Sequence, residues 1–213
     1  FPNASLCGTV ETHVGPISFE AVRTTAEAPV IARFLAATEQ YECGAGVIEL
    51  SAHALSLHRV DGIVFDVAAF TNLQHDHLDY YGDMENYFQA KALLFTPEHS
   101  RHGVVCVDDE WGRRLAQQAT VPVTTVSALT EEAADWQVRD VTPDQTIGRT
   151  VFTLVDPSGT GHRVAMPILG EVNIQNTAVA IVSAVSLGID LADVISAIED
   201  APQIPGRMEK VNP

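Results

Sequence analysis

Short apolar runs rich in β-forming residues alternate with helical patterns through the first two thirds of this 213-residue chain. Strands are predicted at Ser5–Val10, Gly46–Leu50, Phe65–Thr71, Gly103–Val107 and Val123–Val126. Helices are predicted between them at Ala28–Tyr41, Met84–Phe95 and Glu110–Ala119. Such alternation is typical of α/β proteins, because a helix carries the chain back so that the next strand can run parallel to the last. The sequence therefore predicts a mostly parallel, doubly wound sheet.

The pattern changes to alternating strands within residues 136–168. Strands are predicted at Trp136–Val141, Thr150–Val155 and His162–Pro167, with a turn at Asp156–Gly159. They indicate a small antiparallel sheet attached to the parallel one. Two helices are predicted to follow at Val172–Leu187 and Leu191–Glu199, and Pro205 with Gly206 indicates a hinge.

Composition excludes several classes of protein. A hydrophobic content of 46% with only 19% charged residues is that of a globular domain. The net charge of −16 argues against nucleic acid or anionic membrane as the main partner. Because the sequence has no apolar run of membrane-spanning length and no signal region, a cytoplasmic protein is expected. The cysteines are widely spaced and are interpreted as reduced thiols. Asp108 and Asp109 are interpreted as helix caps.

Glu49 closes a predicted strand, and His77 follows the end of the next strand. Ligands of α/β sheets bind at the carboxyl ends of strands, so an acid and an imidazole at adjacent strand ends can share one divalent cation. Lys91 lies on the following helix, where a metal-assisted phosphate site would use it. The residues alone leave an alternative open, in which Glu49 caps a helix and His77 is an ordinary loop histidine.

Four segments carry a resemblance to a known family: residues 49–55, Arg59-Val60, residues 70–80 and residues 90–95. In order and spacing they resemble the central ATP-binding domain of the Mur ligases, from Leu6 to about Glu209. The branch they resemble adds the third amino acid of the peptidoglycan precursor. The resemblance implies a P-loop NTPase-like fold, ATP and Mg²⁺ as cofactors, and a role in cell-wall synthesis.

The resemblance also implies roles for the acid, the imidazole and the lysine. Glu49 and His77 match the residues that hold Mg²⁺ between the transferred phosphate and the acyl carboxylate. Lys91 matches a lysine that is carbamylated in related ligases, a reaction favoured when burial disfavours the ammonium form. Without the resemblance, Lys91 would be interpreted as a surface lysine with its amine in solvent.

Further positions match residues that bind the two substrates of the family. Those matching contacts to the UDP-sugar peptide are Thr24, Thr25, Ser51 and Arg59. Those matching contacts to ATP are Asn72, Asn173, Asn176 and Arg207. The alternatives are helix capping for the threonines and asparagines, and a solvated linker charge for Arg207.

The sequence contains no Gly-x-x-x-x-Gly-Lys-Ser/Thr phosphate loop. We therefore expect residues 1–205 to be a central domain that lacks this loop, and residues 206–213 to be a hinge toward an absent C-terminal domain. The isolated chain is expected to be inactive, and loss of the loop's strand is expected to expose sheet edges and favour self-association. Retention of the metal and lysine positions favours a fragment over a degenerate protein.

The implied parent activity is that of an ATP-dependent carboxylate–amine ligase. UDP-N-acetylmuramoyl-L-alanyl-D-glutamate would be activated as an acyl phosphate and then joined to an amino acid. The alternative is a catalytically inactive scaffold, or a binding module for a UDP-linked precursor.

Overall fold

The computed structural model describes residues 3–19, 21, 23–144, 149–168 and 170–202. The chain forms two compact units, and each is built from two separate stretches of sequence. The first unit comprises Phe1–Ile63 and His77–Leu94, and the second comprises Val64–Asp76 and Phe95–Pro213. The chain therefore passes from one unit to the other at three positions.

A four-stranded sheet forms the base of the first unit. Its strands are β1 (Ser5–Cys7), β2 (Thr12–Val14), β3 (Ile17–Phe19) and β4 (Gly46–Ile48). The order is β3-β2-β1-β4, with β1 antiparallel to β2 and parallel to β4. Residues that follow β1 and β4 therefore emerge at the same edge of this sheet.

Helices of the first unit have identifiable start signals. They are α1 (Ala28–Gln40), α2 (Ala52–Ser56), α3 (Leu78–Tyr81) and α4 (Met84–Ala92). Ser51 caps α2 by accepting a hydrogen bond from the Ala54 amide, and Asp83 caps α4 by accepting one from Asn86. α1 buries Phe34 in a core cluster that contains Cys7 and Val14. α4 is followed by a 3₁₀ turn at Leu93–Phe95.

A six-stranded sheet organises the second unit. Its strands are β5 (Ala68–Phe70), β6 (Gly103–Cys106), β7 (Val123–Ser127), β8 (Trp136–Asp144), β9 (Arg149–Val155) and β10 (Gly161–Met166). Strands β5 to β8 pair in parallel, whereas β8, β9 and β10 pair antiparallel. The antiparallel strands thus extend the parallel sheet.

The helices of the second unit are α5 (Glu110–Gln118), α6 (Glu171–Ser186) and α7 (Leu191–Glu199). α6 is the central one, because Ile174, Ala178 and Ile181 pack into the same buried cluster as Val104 and Val126 of the sheet. Burial of this apolar surface is the main force that holds helix to sheet. Among the described helices, none combines the length and apolar character needed to cross a membrane.

The predicted mostly parallel α/β architecture is confirmed, with two differences in detail. The predicted strands near Ser5 and Gly46 lie in the four-stranded sheet rather than beside β5, β6 and β7. The short elements β2, β3, α2 and α3 were absent from the prediction. The hinge predicted at residues 206–213 lies outside the described residues.

Candidate functional site

Glu49 is held at the edge of the four-stranded sheet by the loop that follows β1. The backbone amide and the hydroxyl of Thr9 both donate to Oε2 of Glu49, each at 2.7 Å. Gly8 leaves room for the carboxylate, since a Cβ there would lie 3.1 Å from Oε2. Within the described chain, no residue donates a hydrogen bond to Oε1, and Glu49 is exposed. One carboxylate oxygen is thus fixed while the other is available to a ligand.

Lys91 and His77 both lie close to the ring of Tyr87. Nζ of Lys91 lies 5.4 Å from the ring centroid of Tyr87, and the rings of Tyr87 and His77 are 5.6 Å apart. Burial lowers the pKa of the Lys91 ammonium, and the negative charge of Glu49 opposes that shift. The lowered pKa increases the fraction of neutral amine, which is the form that reacts with carbon dioxide.

The structure corrects the reasoning that paired Glu49 with His77. β4 and β5 belong to different sheets, so the two side chains do not follow adjacent strands. His77 instead belongs to the first unit, together with Glu49 and Lys91, because the chain returns to that unit at this residue.

Capping does not account for either side chain. The carboxylate of Glu49 binds Thr9, and the next helix is capped by Ser51. His77 occupies the N-cap position of α3 with φ of 55°, and its side chain makes no capping hydrogen bond.

The predicted substrate residues form one connected group in the first unit. The hydroxyl of Thr25 donates to the carbonyl of Glu49 and accepts from the Ser51 amide, each at 2.8 Å. Thr25 is only 1% exposed, so its visible role is to join two loops. The hydroxyl of Thr24 lies 3.1 Å from that of Thr9. Substrate contact by these residues stays a prediction.

Arg59 is already oriented by protein groups. One terminal nitrogen donates to the Thr25 carbonyl and the other lies 3.1 Å from the carboxylate of Glu27. The side chain is 13% exposed, and its buried Nε has no hydrogen-bond partner in the described part of the chain. A buried donor without a partner is costly, so this nitrogen is suited to an incoming acceptor.

Three of the predicted ATP residues lie in the second unit. Asn72 follows β5, while Asn173 and Asn176 lie in the first two turns of α6, three residues apart. The helix begins after Gly170, and therefore neither asparagine is its N-cap. Arg207 lies outside the described residues.

The predicted ligands of Mg²⁺ are an acid and an imidazole of the first unit, Glu49 and His77. Mg²⁺ usually takes one or two carboxylates from a protein and completes its octahedron with phosphate oxygens and water. Glu49 would supply one such oxygen, His77 an imidazole, and a carbamylated Lys91 a second carboxylate-like group; these roles stay predictions. The described residues contain no group of three or more His, Cys, Asp or Glu that could hold a metal.

Sequence reasoning missed three residues of the site. Thr9 follows β1, whose parallel pairing with β4 places it beside Glu49, and that signal was available from the strand ends. Glu27 was not considered as a partner of Arg59. His53 was given no role, although its ring lies 5.2 Å from that of His77.

Residues 3–184 match the family model described as "Mur ligase middle domain". A UDP-N-acetylmuramyl-tripeptide synthetase of Leifsonia xyli subsp. xyli is 45% identical over 98% of this chain and 41% of its own length. The chain belongs to the Mur ligase family. A UDP-N-acetylmuramoyl-L-alanyl-D-glutamate–2,6-diaminopimelate ligase of Streptomyces coelicolor is 42% identical over 99% of this chain and 41% of its own length.

Solved structures agree with this family membership. A structure of a UDP-N-acetylmuramoyl-L-alanyl-D-glutamate–2,6-diaminopimelate ligase superposes with a TM-score of 0.85 at 26% identity, over 99% of this chain and 43% of that chain. The MurF ligase of Thermotoga maritima in complex with ADP gives 0.61 at 18% identity, over 82% of this chain and 40% of that chain, and shows the fold alone. The chain spans about two fifths of the length of these curated relatives.

Proposed function

We propose that this chain is the central part of an ATP-dependent ligase that extends UDP-N-acetylmuramoyl-L-alanyl-D-glutamate by one amino acid. The observation that carries the proposal is the placement of Glu49, His77 and Lys91 in one compact unit, with the pKa of Lys91 lowered by burial. The names of the relatives support the choice of substrate.

The reaction follows from the chemistry of carboxylate activation. A substrate carboxylate attacks the γ-phosphorus of ATP, which forms an acyl phosphate and releases ADP. The amine of the incoming amino acid then attacks the acyl carbon, forms the amide and releases phosphate. Bound Mg²⁺ would neutralise negative charge on the phosphate and carboxylate oxygens.

Residues of the first unit would orient the acceptor and the metal. Glu49 and His77 would bind the cation, and Thr9 fixes the Glu49 carboxylate for that purpose. Lys91 would react as a neutral amine with carbon dioxide, forming a carbamate and releasing a proton. Arg59 would donate to a substrate carboxylate from the position that Glu27 and Thr25 define.

The remaining predicted residues complete the proposal. Thr24, Thr25 and Ser51 would line the substrate site, while Asn72, Asn173 and Asn176 would face ATP, since amide groups can pair with a base edge. Cytoplasmic location, Mg²⁺ dependence and self-association of the isolated chain belong to the same proposal.

Calorimetric titration of the chain with UDP-N-acetylmuramoyl-L-alanyl-D-glutamate tests the substrate assignment. Arg59→Ala is expected to weaken binding at least roughly tenfold, the value of one charge-assisted hydrogen bond to a carboxylate. Arg101→Ala is the matched control, because Arg101 is 72% exposed and, among the described residues, its ion pair is with the equally exposed Asp66. Thermal unfolding of each variant checks that the fold is retained. Absence of binding by the unaltered chain, or equal binding by both variants, would contradict the assignment.

A further inference from the structure

Two aromatic rings contact the ring of His77. Its ring lies 5.2 Å from that of His53 and 5.6 Å from that of Tyr87, and both interplanar angles are 88°. Edge-to-face contact at such separations is a favoured geometry for aromatic pairs. The imidazole thus makes edge-to-face contacts with two rings, those of His53 and Tyr87, which we call the ring clamp.

The two sides of the ring clamp come from helices that are themselves fixed. His53 lies in the first turn of α2, which Ser51 caps. Tyr87 lies on α4, which Asp83 caps, and is 7% exposed. α2 and α4 also contact each other. Neither ring can move far without disturbing a capped helix.

The backbone of His77 has an unusual conformation. Its φ of 55° is in the left-handed region, which residues other than glycine adopt infrequently. The helix that follows, α3, has four residues, and the amides of Tyr80 and Tyr81 donate to the His77 carbonyl at 3.1 and 3.0 Å. Strained residues persist where surrounding contacts determine them, and they concentrate at functional sites.

Further rings enclose His53 itself. Tyr80 lies 4.3 Å and Tyr81 5.4 Å from its ring centroid, and the hydroxyl of Tyr81 lies 3.1 Å from that of Ser56 on α2. α3 therefore packs its tyrosines onto the side of α2 that presents His53 to His77. His53 is held in place by packing as well as by its helix.

We propose that His53 is a positioning residue that holds the His77 imidazole ready to bind the divalent cation, and that it acts through the shape of its ring. This inference rests on the proposed metal site. Groups around a metal ligand restrict its orientation and so reduce the entropy lost on binding. His53 lies on α2, so this task falls to a side chain outside the loop that carries His77.

Electron paramagnetic resonance of free Mn²⁺ measures the binding of that ion to the whole 213-residue chain. His53→Ala is expected to weaken Mn²⁺ binding roughly tenfold, as removal of groups around a metal ligand commonly does. His53→Phe keeps a flat ring and is expected to bind within about twofold of the unaltered chain. His58→Asn is the matched control, because His58 is 77% exposed and asparagine tolerates its left-handed backbone.

Three outcomes show whether the shape of the His53 ring, its nitrogens or the metal site itself is at issue. Unchanged affinity in His53→Ala would overturn the proposal, and so would an equal loss in His53→Phe, because the ring nitrogens would then be responsible. Unchanged affinity in His77→Ala would instead reject the metal site itself. Thermal unfolding and the chemical shifts of the His77 ring protons separate a displaced imidazole from a chain that has lost its fold.

Discussion

Lys91 combines burial with a nearby carboxylate, and these two influences act on its pKa in opposite directions. Burial is the larger, so the folded state holds the proton of Lys91 less tightly than the unfolded chain does. At pH values between the folded and unfolded pKa, the folded state binds fewer protons, and stability therefore rises with pH in that window. The neutral amine becomes more abundant over the same range.

Carbamylation of Lys91 is expected to follow this titration. ¹³C NMR of the chain in ¹³C-labelled bicarbonate should show a carbamate signal that grows as pH rises toward the ordinary lysine value. Lys91 and Lys210 are the only lysines in the sequence, and the α-amino group is the other amine that forms a carbamate. One signal should disappear in Lys91→Arg and persist in Lys210→Arg. A carbamate spectrum that Lys91→Arg leaves unchanged would contradict the assigned role.

Contacts between residues close in sequence were easier to predict than contacts between distant residues. Asp109 caps α5 as expected, by accepting from the Gly112 amide at 2.6 Å. Asp108 does not cap: its carboxylate accepts from the amides of Ala128 and Leu129 and from Gln175 of α6. Burial alone would raise the pKa of Asp108, but these hydrogen bonds and one from Cys106 outweigh burial and lower it. Such long-range partners leave no local sequence signal.

The close approach of α5 to β6 depends on Gly112. A Cβ on Gly112 would lie 1.8 Å from the carbonyl oxygen of Cys106, so no larger residue fits without moving the helix. Gly112→Ala is expected to lower the free energy of unfolding by about 3 kcal/mol, as measured in urea.

The control for that substitution is Gly159→Ala, where an added Cβ meets nothing within 4 Å and only the φ of +84° is unfavourable. Its expected cost is roughly 1 kcal/mol. Equal effects of the two substitutions would show that the packing of α5 on β6 is looser than described.

Long periodic elements were predicted well, and short ones were not. Leu191–Glu199 was predicted with its observed bounds, because its apolar spacing is a local signal; the structure adds that Asp190 caps this helix. The hairpin of β2 and β3 has three-residue strands, and its only sequence signal is the turn at Gly15-Pro16. α2 and α3 are equally short, so packing decides their conformation more than helix propensity does.

At the scale of the whole chain, the division into two interleaved units could not be predicted from local patterns. Strand–helix alternation is the same whether successive strands join one sheet or two, so β4 and β5 were assigned to one sheet. The consequence for the site is direct. His77 follows a strand of the second unit yet belongs to the first unit, where Glu49 and Lys91 lie.

We propose that Glu49 and His77 bind one divalent cation beside Lys91. Anomalous diffraction from a crystal of the chain soaked in Mn²⁺ tests it most directly. We expect a single strong peak within bonding distance of the Glu49 carboxylate and the His77 imidazole, and loss of that peak in Glu49→Gln. A peak elsewhere, or no peak with both side chains well ordered, would rule out this metal site.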